Sequence, residues 1–294
     1  GTLALTDQCV TLSTFPPGHF YTASSGFVKY YRPEYEDYLK ADQALNLEAI
    51  NSTLTNAVRK RLMADVPLAV LLSGGLDSSL IASITARIVK EQDKKLHSFA
   101  IGLDANAPDI VAARKAAKFI GTEHHEVFFT VDEGIAVLDK LIWHLETYDI
   151  ISVRASVPMY FLSKAISDLG IKVVLSGEGA DEIFGGYLYF RNAPSAEEFQ
   201  KETIERVQKL FTADLLRVDK STMAQGLETR VPFLDTDFLD VVMTINPVEK
   251  QPQSHQNKEK FVLRKAFDVS ENAYLPDEIL WRQKEQFSDG VGYE

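Results

Sequence analysis

Apolar and polar residues alternate along this chain in blocks whose lengths suit strands and helices in turn. Val66 to Leu72, Leu96 to Ile101, His125 to Phe129 and Ile171 to Leu175 are short apolar runs bounded by turn residues, the pattern of strands in a covered sheet. Between them, Leu45 to Leu62, Ser78 to Val89, Asp109 to Phe119, Asp132 to Glu146 and Pro158 to Leu169 carry helical spacing, and Arg59 to Arg61 suit a helix carboxyl end. Beyond Tyr189 the pattern is helical throughout, with Glu197 to Phe211, Phe238 to Ile245, Lys260 to Phe267 and Asp277 to Trp281. Glu34 to Asp42 has no clear period and reads as a linker. Strand and helix in alternation predict an α/β fold, a doubly wound parallel sheet covered by helices and followed by a helical carboxyl-terminal part.

Two of these strands run into acidic, glycine-rich turns. Leu72 leads into Ser73-Gly74-Gly75-Leu76-Asp77-Ser78-Ser79, and Leu175 leads into Ser176-Gly177-Glu178-Gly179-Ala180-Asp181-Glu182. Ligands of open α/β sheets bind beyond the carboxyl ends of parallel strands, so the two turns can face one crevice. Glycines let the backbone approach a ligand, and the helix that follows offers unpaired N–H groups to anions. Asp77 would repel bare phosphate; it suits either a Mg²⁺ ligand bridging phosphate oxygens or a helix N-cap. The chain has no G-x-x-x-x-G-K-[ST] run, and Gly177-Glu178-Gly179 reaches Glu182 where a dinucleotide fingerprint needs a third glycine, so neither a Walker loop nor a Rossmann site fits. An acidic pair such as Glu178 and Asp181 directly after a buried strand is costly unless metal or hydrogen bonds compensate it.

The stretch Leu72 to Ser79 resembles the pyrophosphate loop of ATP pyrophosphatases, which cleave ATP between its α and β phosphates. Four more stretches narrow the likeness: His97 to Gly102; Ser176 to Glu182 with Phe184-Gly185-Gly186-Tyr187; Glu228 to Asp235; and Trp281 to Gly290. Together, from about Arg59 onward, they resemble the synthetase domain of glutamine-hydrolysing asparagine synthetases. The resemblance implies aspartate, ATP and ammonia (normally from glutamine) as substrates, a β-aspartyl-AMP intermediate, and Mg²⁺. It places ATP at Leu72, Ser73, Gly74, Gly75, Asp77, Ser78, Ser79, Ile101, Ser176 and Gly177, with adenine near Leu72 and Ile101. It gives the metal to Asp77 and Asp181, and catalysis to Glu178, Lys284 and Arg154. It also implies a cytoplasmic homodimer. Phe15 to Pro33 resembles the end of that family's glutaminase domain, so residues 1–36 are expected to be its remnant with the linker, and 37–294 the synthetase domain of a longer protein. Family members commonly carry hydroxyl residues where Ile151 and Val157 stand and a serine at Ala180, which loosens the substrate assignment. A ring-closing β-lactam-forming synthetase and a catalytically silent nucleotide-binding module stay open as alternatives.

Composition narrows the rest. The 294 residues carry a net charge of −11, and an acidic chain is a poor partner for nucleic acid or anionic membrane. No run approaches the roughly 20 apolar residues of a membrane span. The single cysteine, Cys9, precludes an internal disulfide framework, and its apolar surroundings predict a packed side chain. His124 and His125 are adjacent in a strand and so face opposite sides, with no zinc partners evident around them. Tyr187, Tyr189 and Phe190 read as packing rather than base stacking. Lys90 to Lys95 and Gln251 to Lys258 look short for the family, as if mobile loops were missing.

Overall fold

A computed structural model describes residues 8–11, 13–91, 93, 95–284 and 290–292. Seven strands are present among them: β1 (His19–Thr22), β2 (Gly26–Lys29), β3 (Leu68–Leu71), β4 (His97–Gly102), β5 (Glu123–Phe128), β6 (Val173–Leu175) and β7 (Glu228–Arg230). The helices that build and flank the site are α1 (Leu47–Lys60), α2 (Leu76–Lys90), α3 (Pro108–Ile120), α4 (Val131–Ala136), α5 (Leu138–Leu145), α6 (Ile150–Asp168), α7 (Ala180–Phe184), α8 (Ala196–Lys209), α9 (Asp214–Met223), α10 (Thr236–Met243), α11 (Pro247–Lys250), α12 (Phe261–Phe267) and α13 (Asp277–Leu280).

Strands β3 to β7 form one parallel sheet in the order β5-β4-β3-β6-β7. The order reverses at β3 and β6, the switch point of a doubly wound sheet, as the strand and helix rhythm predicts. Alternation along the strands splits the core in two. Val70, Leu72, Ala100 and Leu175 pack with α1, α2, α3, α10 and α12, while Ala69, Leu71, Phe99, Ile101 and Val174 pack with α5, α6 and α9. Both faces are thereby covered, which explains why β3 and β4 read as continuous apolar runs. Among the described residues, no helix is long and apolar enough to cross a membrane.

Several boundaries differ from the sequence reading. Helix α6 starts at Ile150, capped by the Asp149 carboxylate accepting from the Ser152 N–H at 2.8 Å, and runs through Pro158 rather than beginning there. Proline is favoured in a first turn, and that preference misplaced the start by two turns. The helix expected over Asp132 to Glu146 divides at Val137 into α4 and α5. Glu34 to Asp42 is not a free linker: it forms two short 3-10 turns, and Tyr35 is buried in the core. Within Gln251 to Lys258, the stretch expected to be short for the family, Pro252–His255 forms a 3-10 turn. Cys9 is exposed, not packed. Strands β1 and β2 pair as a separate antiparallel hairpin.

Candidate active site

The turns after β3 and β6 meet at the switch point. A Cβ on Gly177 would lie 2.7 Å from the Ser78 nitrogen and 2.8 Å from the Asp77 carbonyl carbon, so glycine is required for one turn to lie on the other. The first turn is held by its own hydroxyls. Ser78 Oγ accepts from the Ser73 N–H at 3.2 Å and lies 3.1 Å from Ser73 Oγ, which accepts from the Gly75 N–H at 3.3 Å. Gly75, not Asp77, is the N-cap of α2. That leaves the Asp77 carboxylate free for other work.

Beyond the turns opens a cleft of about 420 Å³. Leu72, Ser73, Gly75, Asp77, Ser78, Ile101, Arg154, Ser176, Gly177, Glu178, Asp181 and Lys284 all line it. Two of the expected ATP residues do not. Gly74, at φ +74°, backs onto α3, where a Cβ would meet the Ala112 carbonyl carbon and Ala113 nitrogen at 2.4 Å. Ser79 is fully buried behind the turn. Their type is set by close packing rather than by contact with the cleft.

A charged cluster occupies the floor. Lys260 Nζ donates to Asp77 Oδ2 at 2.5 Å and to Asp181 Oδ1 at 2.8 Å; Lys284 Nζ donates to Asp181 Oδ2 at 2.5 Å and lies 5.1 Å from the Tyr187 ring centre. Asp77 Oδ1 is buried and has no hydrogen-bond partner among the described residues. Burial pushes both carboxyls up, but at Asp181 the ammonium groups of Lys260 and Lys284 outweigh it and hold the pKa at about 2. Asp77, with less cationic compensation and Asp181 nearby, stays raised. The Lys260 ammonium is held well above its ordinary pKa by the two acids, against its own burial.

Glu178 sits across the cleft with Oε1 3.5 Å from Arg217, which also pairs with Asp214 at 3.1 Å. Burial raises the Glu178 carboxyl, over the opposing pull of Arg217. Behind it Glu182 is buried, accepts a hydrogen bond from the Tyr187 hydroxyl, and is pushed by burial and by Asp181 to a pKa of about 8. Of the aromatic run expected to pack, Phe190 does so in the interior, its ring centre 5.3 Å from that of Phe199, whereas Tyr187 lines the cleft and Tyr189 is exposed.

Arg154 stands on the first turns of α6 at the rim, with exposed Ile150 and Ile151 beside it. Of the three positions that depart from the family pattern, only Ile151 lines the cleft. Val157 packs in the core, close enough that a Cβ on Gly134 would meet its Cγ1 at 3.2 Å, and Ala180 is also buried.

Lys260, Arg217 and Glu259 escaped the sequence reading. Lys260 meets acids 183 and 79 positions away, so no local spacing announces it; the clue is an αL backbone at φ +53°, visible only in the fold. Glu259 is buried and gathers Arg264 at 2.9 Å, Arg191 at 3.0 Å and the Lys284 N–H at 3.2 Å, which fixes the backbone that carries Lys284. Of the last motif, Glu285 to Asp289 lie outside the described residues. Gly290 stands against the Asp109 carboxylate, and the Leu103 N–H donates to the Val291 carbonyl at 3.0 Å.

Comparison with known proteins identifies the family of the chain. The asparagine synthase family model matches residues 49–202 and 192–294. Asparagine synthetase (glutamine-hydrolysing) 1 of Saccharomyces cerevisiae is 53% identical over 325 residues, covering 98% of this chain and 57% of the yeast protein. Its namesake from Arabidopsis thaliana is 51% identical over 297 residues, covering 98% and 51%. The chain thus spans about half the length of these relatives. Among solved structures, a U34-tRNA thiolase from Methanococcus maripaludis aligns over 84% of this chain and 88% of its own, at 16% identity and a TM-score of 0.40. With the family model over most of its length and relatives half identical across nearly all of it, this chain belongs to the asparagine synthase family.

Proposed function

We propose that the chain is the ATP-dependent half of an asparagine synthetase, with residues 37–294 as the synthetase domain and 1–36 as the end of a preceding glutaminase domain. The observation that carries the reading is the apposition of Asp77 and Asp181 across the switch point, with Lys260 between them and Lys284 on the far side. Two cations beside a phosphate-cradling turn, Lys260 buried and Lys284 half-buried, suit the departure of pyrophosphate. The relatives support amide formation and give no support to ring closure or to a silent module.

In this reading adenine lies against Leu72 and Ile101, and the phosphates lie along the turn from Ser73 to Ser78. Asp77 Oδ1, a buried oxygen with no hydrogen-bond partner among the described residues, and the Asp181 carboxylate form the hard-oxygen donor set that Mg²⁺ prefers. Mg²⁺, when bound with ATP, neutralises charge on the phosphate oxygens. Arg154 pairs with the carboxylate of aspartate at the rim. The aspartate side-chain oxygen attacks the α-phosphorus, the bond to the β-phosphate breaks, and the Lys260 and Lys284 ammonium groups stabilise the leaving pyrophosphate where they already stand. Ammonia then attacks the carbonyl carbon of β-aspartyl-AMP, AMP departs, and Glu178 takes the proton from nitrogen. A carboxyl raised toward neutrality is the better base for that step.

The test is AMP and asparagine formation by the purified chain. Synthesis that requires both aspartate and ammonia is the expected result, with glutamine ineffective as nitrogen donor for this chain alone. AMP release without ammonia and with a cyclised product, or no turnover despite ATP binding, would replace the reading by one of its alternatives. The homodimer and the cytoplasmic setting are part of the same proposal, and sedimentation of the full-length protein checks the first.

A further inference from the structure

Strands β4 and β5 begin side by side, at the end of the sheet away from the cleft. Their register sets His97 opposite Glu123 and Phe99 opposite His125. Residues two apart on a strand share a face, so His97, Glu123 and His125 gather on one side of the sheet. His97 Nδ1 lies 3.0 Å from His125 Nε2 and 3.8 Å from Glu123 Oε1, and His125 Nε2 lies 4.0 Å from the same oxygen. His124 faces the other way, 2.9 Å from Ser98 Oγ, as the strand period requires. The partners that the sequence reading did not find for the histidine pair come from the neighbouring strand and from Glu123.

We propose that His97, His125 and Glu123 bind a divalent transition metal of the zinc class, at a site separate from the nucleotide cleft. Ligand atoms arranged tetrahedrally around zinc, at bonds of about 2.0–2.1 Å, stand about 3.4 Å apart, and the three observed separations bracket that value. Two imidazoles with one carboxylate favour zinc, copper or nickel over magnesium, and three protein ligands leave a fourth position for water. The His125 ring is held in place by stacking on Phe99, centroids 4.5 Å apart and planes 14° apart. His97 and His125 are half-buried and Glu123 is exposed, so an ion can enter from solvent. Among the described residues, strand β5 is an edge strand paired only with β4, and a metal here ties that edge to its neighbour.

The experiment titrates chelator-stripped protein with Zn²⁺ by calorimetry and with Co²⁺ by visible absorption, in excess Mg²⁺ and without nucleotide, so that oxygen sites in the cleft are filled. One zinc per chain is expected, with cobalt bands of a tetrahedral nitrogen and oxygen site, and a melting temperature raised by zinc. His97→Gln, His125→Gln and Glu123→Gln should each weaken zinc binding by at least about tenfold, the scale seen when even an outer partner of a ligand is lost. His144→Gln, on α5, should leave it unchanged. Circular dichroism without metal checks that each variant is folded, and Glu123→Gln, at an exposed position, keeps the test usable if a histidine variant fails. Absence of saturable zinc binding by the wild-type chain would overturn the proposal. So would undiminished binding by folded Glu123→Gln and by the folded double variant of His97 and His125.

Discussion

Gly177 rests on Ser78: a methyl group on the glycine would come within 2.7 Å of the serine amide nitrogen. This contact joins the two halves of the cleft, because one residue belongs to the turn after β6 and the other to the turn after β3. Gly177→Ala must push the turns apart. The expected cost is about 1–3 kcal/mol of stability, typical of overpacking, together with a raised KM for ATP. Urea unfolding and steady-state kinetics measure the two effects, and wild-type values in both would show that the turns can separate freely.

Lys260 separates two half-buried acids, and removing it leaves them facing each other. Lys260→Met is expected to lose about 3–5 kcal/mol of stability, the scale for breaking a buried ion pair from one side. Adding Asp77→Asn should restore part of that loss while activity stays absent. A double variant no more stable than Lys260→Met would argue that the loss comes from packing alone.

Glu182 gives the stability a pH dependence. Its folded pKa of about 8 lies above the ordinary carboxyl value near 4.3, so between these the native state holds a proton that the unfolded chain has released. Stability from this group is complete below about pH 4 and declines as pH rises through 8, at a limiting slope of about 1.4 kcal/mol per pH unit. Glu182→Gln should remove that slope, so its advantage over the parent should grow from pH 5 to pH 8. Parallel unfolding curves across this range would show that Glu182 is already ionised in the fold.

Glu178→Gln keeps size and hydrogen bonding but removes basicity. Asparagine formation at saturating ammonia should fall by roughly 10²-fold, the scale of a lost general base, with ATP affinity by calorimetry little changed. Lost ATP binding with intact turnover at saturating ATP would make Glu178 a nucleotide ligand only.

Ile151 and Val157 both depart from the family pattern, yet they occupy different surroundings. Ile151→Thr, in the cleft, should alter the KM for aspartate. Val157→Thr buries a hydroxyl in the core and should instead cost about 1–3 kcal/mol of stability with the KM unchanged. Exchange of these two outcomes would mean that α6 is turned differently from the arrangement described.

The sheet and the two turns were legible because their signals are local: apolar runs of strand length, and glycines and acids at fixed offsets from strand ends. Strand β7 was not, since Glu228, Thr229 and Arg230 are polar and belong to a three-residue edge strand with little to bury. Helix α9, which supplies Arg217, also went unmarked within a carboxyl-terminal part read as helical throughout. Asp77 and Asp181 could be named from their turns. Lys260 could not, because an ion pair across 183 positions leaves no trace in spacing. Gly74 and Ser79 sit inside a phosphate-like motif but serve packing, a distinction that only the position of α3 and the core makes visible.

The cluster on the cleft floor also constrains how the chain folds. Its members come from the second quarter, the middle and the far end of the sequence, and β3 must wait for β6 across about a hundred residues of loop closure. A chain that has collapsed only as far as α7 holds Asp77 and Asp181 together with neither ammonium present, an arrangement too costly to persist in a dry interior. The chain up to α7 is therefore denied a stable cleft of its own. Completion of α12 and the strand of chain after α13 makes the pocket habitable, so nucleotide binding reports that the last segment has arrived.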